Sequence, residues 1–239
     1  HRDLHSFPTR RSSDLFIQGY NCASIDNMVG FHPYEKILMG LVQRGYAICK
    51  IEKPGMADCT GTPDCIDVDF ETELLSFQTA YNLLSKYNFV DTNNIFIFGH
   101  SMGGFIAPLM DCKIKPNGIA VYGTVVRSWF EYFVEQTRIQ NFIAGEDYVD
   151  NENAFKLRLM LNYEFFILQK PLEELMKNED YKKLIIAEWG YQEPNYVFER
   201  HYKFWQQLQN YSLINAWSKC TSKVRSEEHT SELQSPNTI

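Results

Sequence analysis

The sequence predicts an α/β fold, in which a mostly parallel sheet carries a helical insertion. Short apolar strands alternate with amphipathic helices over residues 16–126. A serine flanked by glycines directly follows one of these strands. From residue 127 to about residue 217 the pattern changes to helices alone. Strand–helix–strand units of this spacing form right-handed crossovers, so neighbouring strands should run parallel.

Composition indicates one large globular domain and excludes several kinds of partner. The chain has 239 residues, of which 44% are hydrophobic and 22% are charged. Its net charge of -7 argues against binding to nucleic acid or to an anionic membrane surface. No apolar run approaches the roughly 18 residues that a membrane span needs. Because the cysteines form no Cys-x-x-Cys pair and no histidines have metal-ligand spacing, we expect no metal and no cofactor.

The two chain ends differ from the segments beside them. Residues 5–15 and 225–235 are polar and aperiodic, and both resemble in-frame translations of common sequencing adapters. We therefore expect the chain to be an interior fragment, truncated at both ends. The domain plan is a tail over 1–15, a sheet core over 16–126, a helical cap over 127–217, the start of another strand over 218–224, and a tail over 225–239.

The part of the core before the serine reads as two strand–helix units. The tail of a strand over 16–19 leads into a tight loop over 19–22. A helix over 34–44 stops at Gly45, and a strand over 46–51 runs into a loop of turn-forming residues. The next helix begins at Asp69 or Thr72 and ends near residue 87. Its predicted inward face consists of Leu74, Leu75, Phe77, Ala80, Tyr81 and Leu84.

Two cysteines flank a Gly-Thr-Pro turn in the loop before this helix. Cys59 and Cys65 either close a small disulfide loop or remain free thiols. The sequence leaves both alternatives open.

The candidate catalytic residue is Ser101. A buried strand over 95–98 leads into Gly-His-Ser-Met-Gly, which fits the Gly-x-Ser-x-Gly nucleophile elbow. A strand that turns directly into a helix packs backbone against backbone, which requires the small residues Gly99, Gly103 and Gly104. The turn should force the serine into a strained conformation that exposes its hydroxyl group. The helix start behind it offers free amides to a developing oxyanion.

These segments resemble the α/β-hydrolase superfamily, and most closely its bacterial esterase-like and serine-aminopeptidase-like members. The matching pieces are residues 16–20, 52–58 and 99–104. The resemblance implies that Ser101 attacks an acyl carbonyl while the backbone amides of Tyr20 and Met102 form the oxyanion hole.

In that family the acid and then the histidine follow the nucleophile, which places both beyond residue 223 here. The native histidines are His32, which precedes the nucleophile, His100, which is the variable residue of the elbow and should point away from the catalytic face, and His201, for which we expect a packing role. The first carboxylate after the predicted strand over 118–126, Glu131, should lie on a cap helix. We therefore expect a nucleophile and an oxyanion hole without a general base, and an inactive or very slow fragment.

The insertion should cover the active site. It follows a strand over 118–126, which should be an open apolar edge if later strands are missing. Its predicted helices span 129–142, 151–169, 172–186 and 196–208, and it contains all four tryptophans. Some of these aromatic residues should line an apolar pocket for an acyl group or a side chain.

Three functions remain open. The first is a serine carboxylesterase that acts on small-molecule esters. The second is a peptidase for small peptides, in which Glu131 or Glu135 holds the substrate's amine. The third is a non-catalytic binding protein that keeps the pocket of this fold.

Overall fold

A parallel five-stranded sheet forms the base of the molecule in the computed structural model, which describes residues 11–25 and 33–227. The strand order is β2-β1-β3-β4-β7, and every neighbouring pair is parallel. The strands are β1 (Arg11–Ile17), β2 (Ala47–Cys49), β3 (Val90–His100), β4 (Gly118–Tyr122) and β7 (Lys223–Glu227). The predicted α/β class with a parallel sheet is therefore confirmed.

The helices fall into two groups along the chain. Those of the core are α1 (Pro33–Gln43), α2 (Phe70–Leu84) and α3 (Met102–Ile114). Those of the insertion are α4 (Trp129–Ile143), α5 (Tyr148–Asn162), α6 (Leu172–Leu175), α7 (Glu179–Glu188), α8 (Tyr202–Leu208) and α9 (Leu213–Lys219). Within the described ranges, no helix combines the length and the apolar character that crossing a bilayer requires.

Helix α2 follows the sequence prediction with one exception. The Asp69 carboxylate accepts a hydrogen bond from the Thr72 amide at 2.8 Å and caps the helix. Leu74 and Phe77 are buried as predicted, but Leu75 is 61% exposed. Consecutive helical residues are turned by about 100°, so Leu75 lies beside the buried face rather than on it.

The first strand begins at Arg11, five residues before the predicted boundary at residue 16. The side chains of Ser13 and Leu15 are fully buried, and Leu15 pairs with Cys49 on one side and Ile97 on the other. A parallel ladder uses backbone hydrogen bonds, so a polar segment can occupy a central strand. The expectation that residues 11–15 lie outside the fold is therefore wrong, whereas the origin of the segment stays a prediction.

The predicted open edge at residues 118–126 is also wrong. Strand β4 ends at Tyr122, and Gly123, which has a φ of 57°, turns the chain away. On its outer side β4 pairs with β7, in which Val224 lies beside Ile119. Since β7 extends to Glu227, residues 225–227 belong to the sheet as well.

The insertion is not built from helices alone. The predicted helix over 172–186 is divided between α6 and α7, and α7 has its own cap at Asn178. The predicted helix over 196–208 begins as a hairpin of β5 (Tyr196–Val197) and β6 (Arg200–His201) before α8. A π-helical turn, Tyr163–Ile167, follows α5.

Candidate active site

Ser101 lies between the last residue of β3 and the first residue of α3. Its backbone has φ 52° and ψ −116°, and a serine rarely adopts a positive φ. The Ser101 amide donates to the Tyr122 carbonyl oxygen at 3.0 Å, which ties the turn to β4. A strained residue at a strand-to-helix corner persists only where the surrounding structure enforces it, and such residues cluster at functional sites.

The surrounding glycines leave no room for side chains. A Cβ atom on Gly99 would overlap the Gly103 carbonyl, and one on Gly103 would overlap the Ile17 carbonyl of β1. A Cβ atom on Gly104 would overlap the Thr124 side chain. The first turn of α3 therefore packs directly on β3 and on the loop after β4.

The loop after β1 lies beside the serine side chain. A Cβ atom built on Gly19 would be 3.6 Å from Ser101 Cβ and 3.8 Å from Ser101 Oγ. The Tyr20 amide donates no backbone hydrogen bond within the described part of the chain. Met102 is the first residue of α3, so its amide has no acceptor within the helix. Unpaired main-chain donors on both sides of a serine are the arrangement that binds an oxyanion.

Two buried cations hold carbonyl groups of this loop, which spans residues 18–22 and which we call the Gly19–Tyr20 loop. Lys53 Nζ donates to the Gly19 oxygen at 2.6 Å, and Arg200 Nη1 donates to the Tyr20 oxygen at 2.8 Å. Glu73 pairs with both cations, at 2.9 Å from Lys53 Nζ and 3.0 Å from Arg200 Nη2. All three side chains are fully buried. Burial lowers the pKa of Lys53 to about 8, with Glu73 opposing the shift and Arg200 adding to it.

A disulfide bond anchors the same loop, and it differs from the pairing considered from the sequence. Cys22 is bonded to Cys65, with the two Cα atoms 5.9 Å apart, and Cys59 is a free thiol. The pairing of Cys59 with Cys65 is therefore wrong. Cys22 lies 43 residues before Cys65, and only the folded loops bring the two together.

Neither described histidine hydrogen-bonds to the Ser101 hydroxyl group. His100 lies 2.6 Å from the Tyr34 hydroxyl group on α1 and stacks on Tyr122. His201 caps α8 by accepting a hydrogen bond from the Lys203 amide at 3.3 Å, and burial lowers its pKa. His32 lies outside the described residues.

The carboxylate considered for amine binding has a structural partner. Glu131 accepts hydrogen bonds from the Ser128 amide at 3.0 Å and from the Ser128 hydroxyl group at 2.7 Å. The Glu131 amide donates in turn to the Ser128 hydroxyl oxygen at 3.2 Å, which completes a capping box at the start of α4. The hydrogen bonds from Ser128 lower the pKa of Glu131. Glu135 follows on the same helix. Among the described residues, no carboxylate or imidazole hydrogen-bonds to the Ser101 hydroxyl group.

Aromatic rings connect the Gly19–Tyr20 loop to the cap. The Tyr20 ring packs edge-on against Trp205, with centroids 5.2 Å apart, and Trp205 stacks on Trp129 at 5.7 Å. Trp205 Nε1 donates to the Val197 oxygen at 2.8 Å, which fixes the ring on the β5–β6 hairpin. The cap thus packs an apolar surface against the loop beside the serine.

One feature of the sequence indicates the buried ion cluster. Glu73 lies three residues after Phe70 and four before Phe77, so it is a carboxylate within the apolar face of α2. A charge in that position needs a buried partner. Arg200 has no comparable signal, because its burial depends on how the cap hairpin packs onto the core.

No protein-family model matches the chain, and no curated protein matches its sequence. Its structure resembles that of the α/β hydrolase GrgF from Penicillium sp. sh18, with a TM-score of 0.54 and 11% identity over 91% of this chain and 71% of that one. Est1E from Butyrivibrio proteoclasticus, solved with ferulic acid bound, gives 0.53 and 14% over 92% and 69% of the two chains. A hypothetical protein from Pseudomonas aeruginosa gives 0.53 and 9% over 93% and 70%. The chain therefore has the α/β-hydrolase fold.

Proposed function

We propose that this chain carries the nucleophile and the oxyanion hole of a serine hydrolase, and that its substrates are small carboxylic esters. The observation that carries the proposal is the strained Ser101 beside the amides of Tyr20 and Met102, which donate no backbone hydrogen bond within residues 11–25 and 33–227. A strained serine beside two free main-chain donors has no evident packing role, whereas acyl transfer requires both features.

In the proposed reaction Ser101 Oγ attacks the carbonyl carbon of the ester. The new C–O bond forms as the carbonyl π electrons move to oxygen, and the Tyr20 and Met102 amides donate to this oxyanion. Collapse breaks the bond between the carbonyl carbon and the leaving oxygen, the leaving alkoxide takes up the proton that Ser101 Oγ gave up, and an acyl group remains on Ser101. Water then attacks the acyl-enzyme, releases the carboxylic acid and restores the hydroxyl group.

The aromatic residues of the cap that pack beside the Gly19–Tyr20 loop support an apolar acyl group as the part of the substrate that is recognised. Tyr20, Trp205 and Trp129 form a continuous row from the Gly19–Tyr20 loop into the cap. Ligand sites are mostly apolar with a few placed polar groups. Est1E, which shares the fold, has been solved with ferulic acid, an aromatic acid.

Acylation of Ser101 by a p-nitrophenyl ester tests the proposal. Intact-mass measurements should find a single acyl adduct, peptide mapping should place it on Ser101, and Ser101→Ala should abolish it. Because no described histidine or carboxylate contacts the hydroxyl group, we expect slow turnover. Loss of a triad member in a serine protease leaves roughly 10³–10⁴-fold catalysis over water.

The remaining functions are outcomes of the same experiment. Equal p-nitrophenol release by the parent chain and Ser101→Ala would contradict the proposal and favour a binding protein. Faster cleavage of aminoacyl p-nitroanilides than of esters would favour a peptidase. Fast turnover that disappears in His32→Ala would identify His32 as the general base.

A further inference from the structure

We propose that Lys53, Glu73 and Arg200 are positioning residues, and that their buried cluster sets the direction of the Tyr20 amide in the oxyanion hole. The inference rests on the proposed function for the role of that amide. The cluster itself consists of contacts between side chains and the Gly19–Tyr20 loop.

The peptide unit between Gly19 and Tyr20 is held through its carbonyl oxygen. It is trans, since the one cis peptide among the described residues is Glu193–Pro194. In a trans peptide the C=O and N–H groups point in opposite directions. Lys53 Nζ lies 2.6 Å from the Gly19 oxygen, so the Tyr20 N–H points away from Lys53.

The next peptide unit is held in the same way. Arg200 Nη1 donates to the Tyr20 oxygen at 2.8 Å, and Nη2 donates to the Val68 oxygen at 3.0 Å. The guanidinium group also lies 4.0 Å from the centroid of the Phe204 ring. With both peptide planes fixed, the two backbone dihedral angles of Tyr20 have little freedom.

Glu73 makes the two cations one unit. Its carboxylate pairs with Lys53 and with Arg200, which come from the loop after β2 and from the cap hairpin. The cluster therefore connects helix α2, the cap and the Gly19–Tyr20 loop.

Stability alone does not account for such a cluster. Burying three ionisable groups carries a desolvation penalty, and well-packed apolar residues often serve the fold equally well or better. What apolar residues would not supply is a donor to each of the two carbonyl oxygens of the loop. The contacts of Lys53 and Arg200 with these oxygens thus point to orientation of the loop.

The experiment compares variants that remove one donor from the loop. In Lys53→Met and Arg200→Met the limiting rate constant for acylation of Ser101 by p-nitrophenyl acetate should fall about 10- to 100-fold, since removal of a complete oxyanion donor costs about 10²–10³. The half-saturating ester concentration should not change, because the donors act on the transition state. Arg200→Lys keeps one donor, so its acylation rate constant should fall less than that of Arg200→Met.

Matched controls remove charged groups from ion pairs elsewhere. Arg158 pairs with Glu146 and Glu188 inside the cap, and Lys170 pairs with Glu164. Arg158→Met and Lys170→Met should lower the melting temperature without changing the acylation rate constant. If Arg158→Met slows acylation as much as Arg200→Met at a similar loss of stability, the inference is wrong.

A second measurement separates this inference from the proposed function. In protein labelled with ¹⁵N-tyrosine, the Tyr20 amide resonance should shift in Lys53→Met and Arg200→Lys and stay in place in Lys170→Met. If the parent chain is not acylated at Ser101 and the resonance still shifts, the proposed function fails and the positioning role stands. An unshifted resonance together with a parental acylation rate overturns the positioning role.

Discussion

At the residue scale, the candidate site depends on glycines, which have no side chain to keep neighbouring backbone segments apart. Gly103 lies against the Ile17 carbonyl of β1, and Gly99 lies against the Gly103 carbonyl itself. These contacts let α3 start close to the sheet, and the turn between them holds Ser101 at positive φ. The Gly-x-Ser-x-Gly spacing predicted this crowding because a strand that turns directly into a helix packs backbone against backbone.

Gly103→Ala should therefore destabilise the protein strongly. Its new methyl group meets a backbone carbonyl that cannot move without shifting β1, and we expect a loss of about 2–4 kcal/mol in the free energy of unfolding. Gly40→Ala is the matched control. It lies in α1, where the closest atom is 3.4 Å from the new Cβ, and it should gain about 0.5–1 kcal/mol. Urea unfolding of both variants measures the difference, and equal effects would contradict the packing argument.

At the element scale, the Gly19–Tyr20 loop is held from several directions. Lys53 and Arg200 bind its carbonyl groups, and the disulfide bond to Cys65 fixes its far end at Cys22. A loop with few backbone hydrogen bonds of its own needs such anchors to present an amide in one direction. The family resemblance predicted this loop, whereas of the residues that anchor it only Glu73 has a signal in the sequence.

Removal of the disulfide should cost the protein substantial stability. For a cross-link of 43 residues, the chain-entropy estimate is about 4 kcal/mol. We expect a double variant, Cys22→Ala with Cys65→Ala, to lose about this amount in urea unfolding under oxidising conditions. Cys59→Ala is the control and should stay close to the parent. A large loss in Cys59→Ala would instead support the pairing of Cys59 with Cys65.

At the scale of the whole molecule, the cap and the core share one interior. Phe70 of α2 contacts Phe105 of α3 and Phe204 of α8, with ring centroids 5.5 and 5.8 Å apart. The sheet below them has β1 next to its centre, and β1 contains the buried Asp14. Burial raises the pKa of this carboxyl group to about 6. Its ionisation therefore affects the stability of the entire fold.

We expect stability to fall as the pH rises from about 4 to about 6. The unfolded chain loses the Asp14 proton near its ordinary pKa, whereas the folded chain keeps it up to about pH 6, so ionisation favours unfolding. A shift of about two units corresponds to roughly 3 kcal/mol. Asp14→Asn should match the parent near pH 4 and exceed its unfolding free energy by up to this amount above pH 6.

Urea unfolding at pH 4 and at pH 7.5 measures this difference. Asp58→Asn is the same substitution at an exposed position, and it controls for the loss of one negative charge. An equal gain in both variants at pH 7.5 would show that net charge, rather than burial of Asp14, is responsible.

The sequence by itself determined the α/β class, the order of the core elements and the elbow around Ser101. These features follow from local causes, namely apolar periodicity, helix caps such as Asp69, and glycines at a crowded turn.

Tertiary structure alone decided which distant groups meet. It joined Cys22 to Cys65, brought Arg200 from the cap to Glu73, and placed residues 11–15, four of which are polar, within the sheet. Those outcomes depend on the packing of segments far apart in the chain. Local pattern does not encode which buried partner each residue will find.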